Sequence, residues 1–167
     1  MTLVPEFLAA NEQYAAQFSK GDLPMPPGRK VAVLVCMDAR IDPAKALGLE
    51  EGDAHVIRNA GGLANDAIRS LAISQELLGT REIVVIHHTD CGMLTFSNDV
   101  IRQKLAETLG AEAGKAAQAV DFLPFADVEQ SVREDVAAIK ASPLLRKDVP
   151  VTGFVYDVKT GRLNQVA

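Results

Sequence analysis

The sequence contains no tryptophan, and phenylalanine and tyrosine together make up only 5% of its 167 residues. A core built around large aromatic side chains is therefore excluded. Because the chain is nevertheless 48% hydrophobic, its core must consist mainly of valine, isoleucine, leucine and alanine, which are typical of buried parallel strands between helices. A chain of this length fits one globular domain. We expect a single α/β domain.

The sequence also lacks a basic excess, long apolar runs and a cysteine framework. Lysine and arginine number 17 against 22 aspartates and glutamates, a net charge of -5, and no basic run is present to bind the phosphates of a nucleic acid. No apolar stretch approaches the roughly 18 residues of a membrane span, and the N-terminus has no signal-peptide pattern. We therefore expect a soluble, cytoplasmic protein without nucleic-acid or membrane partners. The two cysteines favour chemistry over a disulfide framework.

Three short apolar runs, rich in β-branched residues, predict strands at residues 31–35, 54–57 and 83–86. Between the last two runs, apolar residues along one side predict a helix over residues 63–78, ended by Gly79. This strand-helix-strand order predicts a mostly parallel central sheet flanked by helices. Further patterns predict helices over residues 98–109 and 128–140, and strands over residues 150–157 and 162–166.

The N-terminal part of the chain differs from the rest. Apolar and aromatic residues near helical spacing predict an amphipathic helix over residues 5–18. A segment rich in proline and glycine, residues 21–28, follows it. We therefore divide the chain into a helical arm and linker, residues 1–28, and an α/β domain, residues 29–167, which contains the candidate functional residues described next. On the sequence alone the arm could reach a partner subunit or pack on its own domain.

Cysteine and histidine follow two of the predicted strands. Cys36 comes directly after the first strand, and His88 and Cys91 come directly after the third. Because the carboxyl ends of parallel strands are where open α/β sheets hold their sites, these three side chains converge if the two strands are neighbours. Two thiolates and an imidazole suit Zn²⁺, and three protein ligands leave a fourth position at which water can be acidified.

Asp38 and Arg40 lie close to the first predicted ligand, Cys36, in the chain. If the segment is extended, all three side chains point to the same side, and Arg40 can hold Asp38 in a charge-assisted pair. That pair would keep the Asp38 carboxylate off the metal but close enough to orient a zinc-bound hydroxide. We therefore predict Asp38 and Arg40 as the catalytic residues, with loss of their pair allowing Asp38 to bind zinc.

Each pattern also has a structural interpretation. A single cysteine after a strand is more often a small buried side chain than a ligand, so the prediction depends on the combination of residues. His55 and His87 are interpreted as structural or partly solvated, and not as ligands. The Asn59-Ala-Gly-Gly62 segment is first a turn into the next helix, although its backbone amides could bind an anion such as bicarbonate.

Three motifs contain these residues: Val35-Cys-Met-Asp-Ala-Arg-Ile41, Val56-Ile-Arg-Asn-Ala-Gly-Gly62 and His87-His-Thr-Asp-Cys-Gly92. Together they resemble the β-class carbonic anhydrases of the small bacterial and archaeal type. The resemblance implies that Cys36, His88 and Cys91 bind zinc and that Asp38 and Arg40 form the family's Asp-Arg dyad. It also implies a homodimer or an assembly of dimers, with the N-terminal helix across the partner.

The implied reaction is zinc-dependent hydration of carbon dioxide to bicarbonate and a proton. Because two thiolates neutralise the charge of the metal, we expect activity that rises toward alkaline pH. Three alternatives stay open. They are a zinc hydrolase acting on an analogue such as carbon disulfide, a metal-free thiol enzyme with Cys36 as nucleophile and Arg40 as anion site, and a non-catalytic zinc-binding module.

Overall fold

The computed structural model describes residues 2–167, which form five β-strands and six α-helices. The strands are β1 Val31–Cys36, β2 Ala54–Asn59, β3 Glu82–His88, β4 Val151–Tyr156 and β5 Leu163–Gln165. The helices are α1 Val4–Ala16, α2 Pro43–Leu47, α3 Ile68–Glu76, α4 Asn98–Leu109, α5 Ala111–Ala117 and α6 Val128–Ala141. Two short 3-10 turns, Ala60–Gly62 and Gly92–Leu94, follow β2 and β3.

The five strands form one sheet in the order β2-β1-β3-β4-β5. The first four strands are parallel, and β5 pairs antiparallel with β4. The expected α/β fold with a mostly parallel central sheet is therefore confirmed. In this order β1 and β3 are neighbours, with Val31 opposite Glu82 and Val35 opposite Ile86. The two strands that precede the predicted ligands consequently end side by side.

The sheet buries a separate apolar cluster on each side. On the first, which we call the core face, Ile83 and Val85 of β3 pack with residues of α3 and α6. On the second, the pocket face, Ile86 of β3 packs with Val35 of β1 and with Cys91 in the loop after β3. Because successive residues of a strand point to opposite faces, the neighbours His87 and His88 are directed to different sides.

The predicted helix over residues 63–78 is wrong in its first part, because α3 begins only at Ile68. The side chain of Asn59 explains the late start. Its Oδ1 accepts from the backbone nitrogen of Leu63 at 2.7 Å, and its Nδ2 donates to the Leu63 carbonyl oxygen at 2.9 Å. Gly61 and Gly62 have positive φ angles of 85° and 74°, so the chain turns here instead of entering a helix.

The N-terminal arm does form the predicted helix, α1. None of its residues is buried, and the side chains of Phe7 and Leu8 are 64% and 61% exposed. Polar contacts link it to the loop before β2, where Tyr14 and Lys20 both contact the carboxylate of Glu51. The apolar side chains of α1 are therefore exposed in this chain.

Within residues 2–167, no helix is long and apolar enough to cross a membrane.

Candidate metal centre

The three predicted ligands come together at the carboxyl end of the sheet. Cys36 is the last residue of β1, His88 is the last residue of β3, and Cys91 follows three positions later. One ligand atom from each residue lies within 4.8 Å of the other two, and all three residues are buried. Among the described residues, this is the one group of three or more histidine, cysteine and acidic side chains arranged to hold a metal ion.

The ring of His88 is oriented by its backbone surroundings. Nδ1 lies 2.9 Å from the carbonyl oxygen of Thr89 and must donate to it, because a carbonyl can only accept. The other ring nitrogen, Nε2, therefore carries a lone pair. That atom is fully buried and has no hydrogen-bond partner, which is unfavourable unless something else binds it. A metal ion held with the two sulfurs satisfies it, so this donor set fits zinc.

The two thiols are electrostatically unequal when only protein surrounds them. The hydrogen bond from Cys91, together with the nearby His88 ring and the backbone of Asp38 and Gly61, lowers the pKa of Cys36 to about 4 despite its burial. The hydrogen bond that Cys91 gives to Cys36, reinforced by burial, raises the pKa of Cys91. Cys36 is therefore the more acidic of the two thiols, and a divalent cation would favour the thiolate form of both.

The pKa of His88 is set by opposing effects. Burial alone would lower it, but contact with the Cys36 sulfur and the negative charge there raise it above the usual value for histidine. The negative charge that forms at Cys36 therefore favours a positive charge beside it, which a bound cation would supply.

Asp38 and Arg40 form the expected pair, but the segment that carries them is a turn rather than the extended segment on which the expectation was based. The backbone nitrogen of Arg40 donates to Asp38 Oδ1 at 2.8 Å, and this bond closes the turn. The Arg40 side chain adds two bonds, from Nε to Oδ1 at 2.9 Å and from Nη2 to Oδ2 at 2.7 Å. Because Arg40 donates to both oxygens, the pKa of Asp38 is strongly lowered.

Arg40 has a second acidic partner that the sequence did not reveal. Its Nη1 donates to Asp90 Oδ2 at 2.7 Å, and its Nη2 donates to the Asp90 carbonyl oxygen at 2.9 Å. Asp90 lies between His88 and Cys91 and has a positive φ of 55°. The Arg40 guanidinium therefore joins the loop after β1 to the loop after β3.

A second arginine holds the backbone beside the ligands and was also missed. The guanidinium of Arg58 on β2 donates to the carbonyl oxygen of Cys36 through Nε at 3.1 Å and Nη2 at 2.9 Å. Nη2 also donates to the carbonyl oxygen of Asp38 at 2.7 Å. Arg58 thus restrains the start of the turn that carries the Asp38 carboxylate.

 

A cavity of about 310 Å³ opens onto the three ligands. Apart from the ligands and Asp38, its walls are mostly apolar, from Met37, Ala60, Met93 and Phe96, with Gly61 and Gly92 completing them. A somewhat larger cavity, of about 360 Å³, lies along α6 and includes Asp121, Glu134 and Asp135, but none of the predicted ligands. The smaller cavity is the relevant one, because it alone of the two contains the group of metal-binding donors.

The other two histidines have partners elsewhere, in agreement with their structural interpretation. His55 Nδ1 lies 2.8 Å from the Ser74 hydroxyl, which in turn contacts Thr80. His87 Nε2 lies 3.0 Å from Asp135 Oδ2 on the core face. Neither histidine belongs to the group formed by the three predicted ligands.

Comparison with known proteins gives consistent similarities. The family described as carbonic anhydrase matches residues 31–163. Beta-carbonic anhydrase 1 of Mycobacterium tuberculosis is 47% identical over 167 residues, covering 99% of both chains. The solved structure of a carbonic anhydrase from Glaciozyma antarctica is 52% identical with a TM-score of 0.95, covering 100% of both chains. A carbon disulfide hydrolase of Acidianus sp. is 35% identical, covering 92% of this chain and 84% of its own.

Proposed function

We propose that this chain, which belongs to the β-class carbonic anhydrase family, catalyses the zinc-dependent reversible hydration of carbon dioxide to bicarbonate and a proton. The observation that carries the proposal is the buried group of Cys36, His88 and Cys91, whose one unpartnered nitrogen opens onto an apolar cavity. Family membership supports the reaction, and the donor set supports the metal.

Cys36, His88 and Cys91 would hold the zinc ion. When bound, zinc would act as a Lewis acid that acidifies water and so supplies the nucleophile for carbon dioxide. The hydrogen bond from His88 Nδ1 to the Thr89 carbonyl keeps Nε2 available as the ligand atom. Three protein ligands leave a position for water, whereas a fourth would close the site.

Asp38 would accept a hydrogen bond from the nucleophile and orient its lone pair toward the substrate. Its Oδ2 lies 3.7 Å from the ligand atom His88 Nε2. The carboxylate is therefore close to the position that the nucleophile would occupy. Because the pKa of Asp38 is strongly lowered by Arg40, this carboxyl stays ionised and can only accept. Arg40 is the residue that positions it.

The apolar walls of the cavity suit the substrate. Carbon dioxide is small and has no charge or hydrogen-bond donor, so side chains such as Met93 and Phe96 can surround it without leaving polar groups unsatisfied. Bicarbonate is charged and gains little from the same walls. This difference favours release of the product into water.

Stopped-flow measurement of carbon dioxide hydration tests the proposal, on protein whose zinc content has been determined. We expect turnover that increases toward alkaline pH, and loss of both zinc and turnover in Cys91→Ala. As a matched control, Asp99→Asn changes a side chain that is 97% exposed on α4 and should leave both unchanged. Zinc-loaded protein without turnover would contradict the proposed reaction.

Carbon disulfide is the second candidate substrate. It is also linear and apolar, and the relative from Acidianus sp. is named for its hydrolysis. Assaying both substrates with one preparation separates the two reactions. A metal-free thiol enzyme is less well supported, because the Arg40 guanidinium already donates to Asp38 and Asp90 and has no free edge for an anion.

We further propose a homodimer, or an assembly of dimers, in the cytoplasm. The exposed apolar residues of α1 support a partner contact, since isolated apolar helix faces are unfavourable in water. Thiolate ligands also suit a reducing compartment. Light scattering on the wild type and on a Phe7→Ser/Leu8→Ser variant tests the dimer, and a wild-type monomer would contradict it.

A further inference from the structure

Building on the proposed function, we infer that Asp90 is a positioning residue, which holds the Arg40 guanidinium in the orientation that keeps Asp38 from closing the metal site. Asp90 bonds a different pair of guanidinium nitrogens from Asp38. The guanidinium makes two bonds to each aspartate, and Nη2 is shared between Asp38 Oδ2 and the Asp90 carbonyl oxygen.

Arg40 needs Asp90 as a second partner because its side chain is partly exposed to solvent. The Arg40 side chain is 46% exposed, so packing alone does not fix its long chain. Without Asp90, only the contacts to Asp38 would restrain it, and the two could move together. Asp38 Oδ2 needs to move little, because it already lies 3.7 Å from His88 Nε2. Asp90 therefore favours the arrangement in which the fourth position is left to water.

The position of Asp90 in the chain supports the same role. Asp90 lies between two predicted ligands, His88 and Cys91, and its left-handed backbone conformation turns its carbonyl oxygen toward Arg40. Asparagine also tolerates this conformation. Asp90→Asn consequently removes the charged half of the contact while preserving the turn, which makes it the informative substitution.

Cobalt-substituted protein provides a test with a spectroscopic readout, with thiocyanate as the probe of the open position. In Asp90→Asn we expect thiocyanate to bind about two- to fivefold more weakly than in the wild type, the range of an exposed ion pair. Loss of a nearby negative charge would by itself strengthen anion binding. A weaker affinity therefore has the sign expected only if Asp38 competes for the metal.

Two further variants complete the test. In an Asp38→Asn background, the same Asp90 substitution should no longer weaken thiocyanate binding, and Asp99→Asn should behave as wild type. Unchanged or tighter binding in Asp90→Asn, or weakening that persists without Asp38, would overturn the inference. A wild-type spectrum that does not respond to thiocyanate would instead overturn the proposed open metal site itself.

Discussion

The two adjacent histidines of β3 lie on opposite faces of the sheet, and their surroundings differ. Both His87 and His88 are 0% exposed. On the core face, His87 Nε2 contacts the carboxylate of Asp135. On the pocket face, His88 Nε2 has no protein partner and opens toward two sulfurs. Each ring thus has one bonded nitrogen and one without a hydrogen-bond partner, Nδ1 in His87 and Nε2 in His88. Only the nitrogen of His88 belongs to a group that can hold a metal ion.

This contrast shows that burial alone does not distinguish a structural residue from a functional one. What differs is which atoms surround the ring nitrogen that lacks a hydrogen-bond partner. The core face supplies Asp135 from α6 for His87, and α6 also carries the apolar side chains that pack there. The pocket face supplies sulfur atoms and an open cavity instead.

The sharpest test replaces each histidine by the same residue. His88→Gln should lose zinc and carbon dioxide hydration, with at least about tenfold less zinc retained against a chelator, since a ligand is removed. His87→Gln should retain zinc, although it is less stable. Metal analysis and stopped-flow assays check both variants. Equal zinc loss in the two would mean that the faces are not functionally distinct.

Two glycines with similar backbone angles extend the comparison. A Cβ at Gly62, which has a φ of 74°, would lie 2.7 Å from the backbone nitrogen of Cys36 and 2.9 Å from the carbonyl oxygen of Ile86. Gly79, with a φ of 75°, has nothing within 4 Å. We expect Gly62→Ala to reduce the free energy of unfolding by about 2–5 kcal/mol through strain and overlap together.

Gly79→Ala is the control for the strain alone. It should lower the free energy of unfolding by about 1–2 kcal/mol without affecting zinc content, whereas Gly62→Ala should also weaken zinc binding by displacing Cys36. Urea unfolding and metal analysis measure the two effects. Equal destabilisation by the two substitutions would show that the close approach at Gly62 is unimportant.

The sequence predicted most of the sheet and the ligand group, because both depend on local patterns. β-Branched runs marked β1 and β3, and placing Cys36 and His88 at their ends required only that these strands be neighbours. Contacts between segments that are distant in the sequence could not be predicted in this way. The bonds from Arg40 to Asp90 join residues 50 positions apart, and nothing in the spacing of charged residues indicates them.

Local errors had local physical causes. The five-residue helix α2 was missed because it is too short to show a period, although Asp42 caps it and Pro43 begins it. The helix α5 was left unassigned in a stretch rich in alanine and glycine. The predicted start of α3 failed because periodicity carries no information about the Asn59 side chain, which holds Leu63 in a turn.

A smaller loss of stability is expected on removal of the Asp135 carboxylate, which contacts His87 Nε2. Asp135→Ala leaves the buried imidazole without its Nε2 partner, which should reduce the free energy of unfolding by about 1–3 kcal/mol. Zinc content should not change, because Asp135 lies on the core face. Urea unfolding with an unchanged slope tests the stability. Glu134→Ala, at an exposed neighbouring position on α6, is the control, and equal effects of the two would contradict the prediction.

The smallest effect should come from an exposed ion pair at the edge of the core face. Arg146 donates from Nε to Glu76 Oε1 at 2.7 Å and from Nη2 to Oε2 at 3.2 Å, and these bonds lower the pKa of Glu76. Because the pKa of Glu76 is lower in the folded protein than in the unfolded chain, where it is about 4.3, the ion pair stabilises the fold at pH values above 4.3. This stabilisation is lost as the pH falls through the pKa of Glu76 in the folded protein. Urea midpoints of metal-free wild type and Glu76→Gln should therefore differ slightly at pH 7 and converge in acid. A difference that grew on acidification would contradict this sign, because it would require the unfolded carboxyl to be the more acidic one.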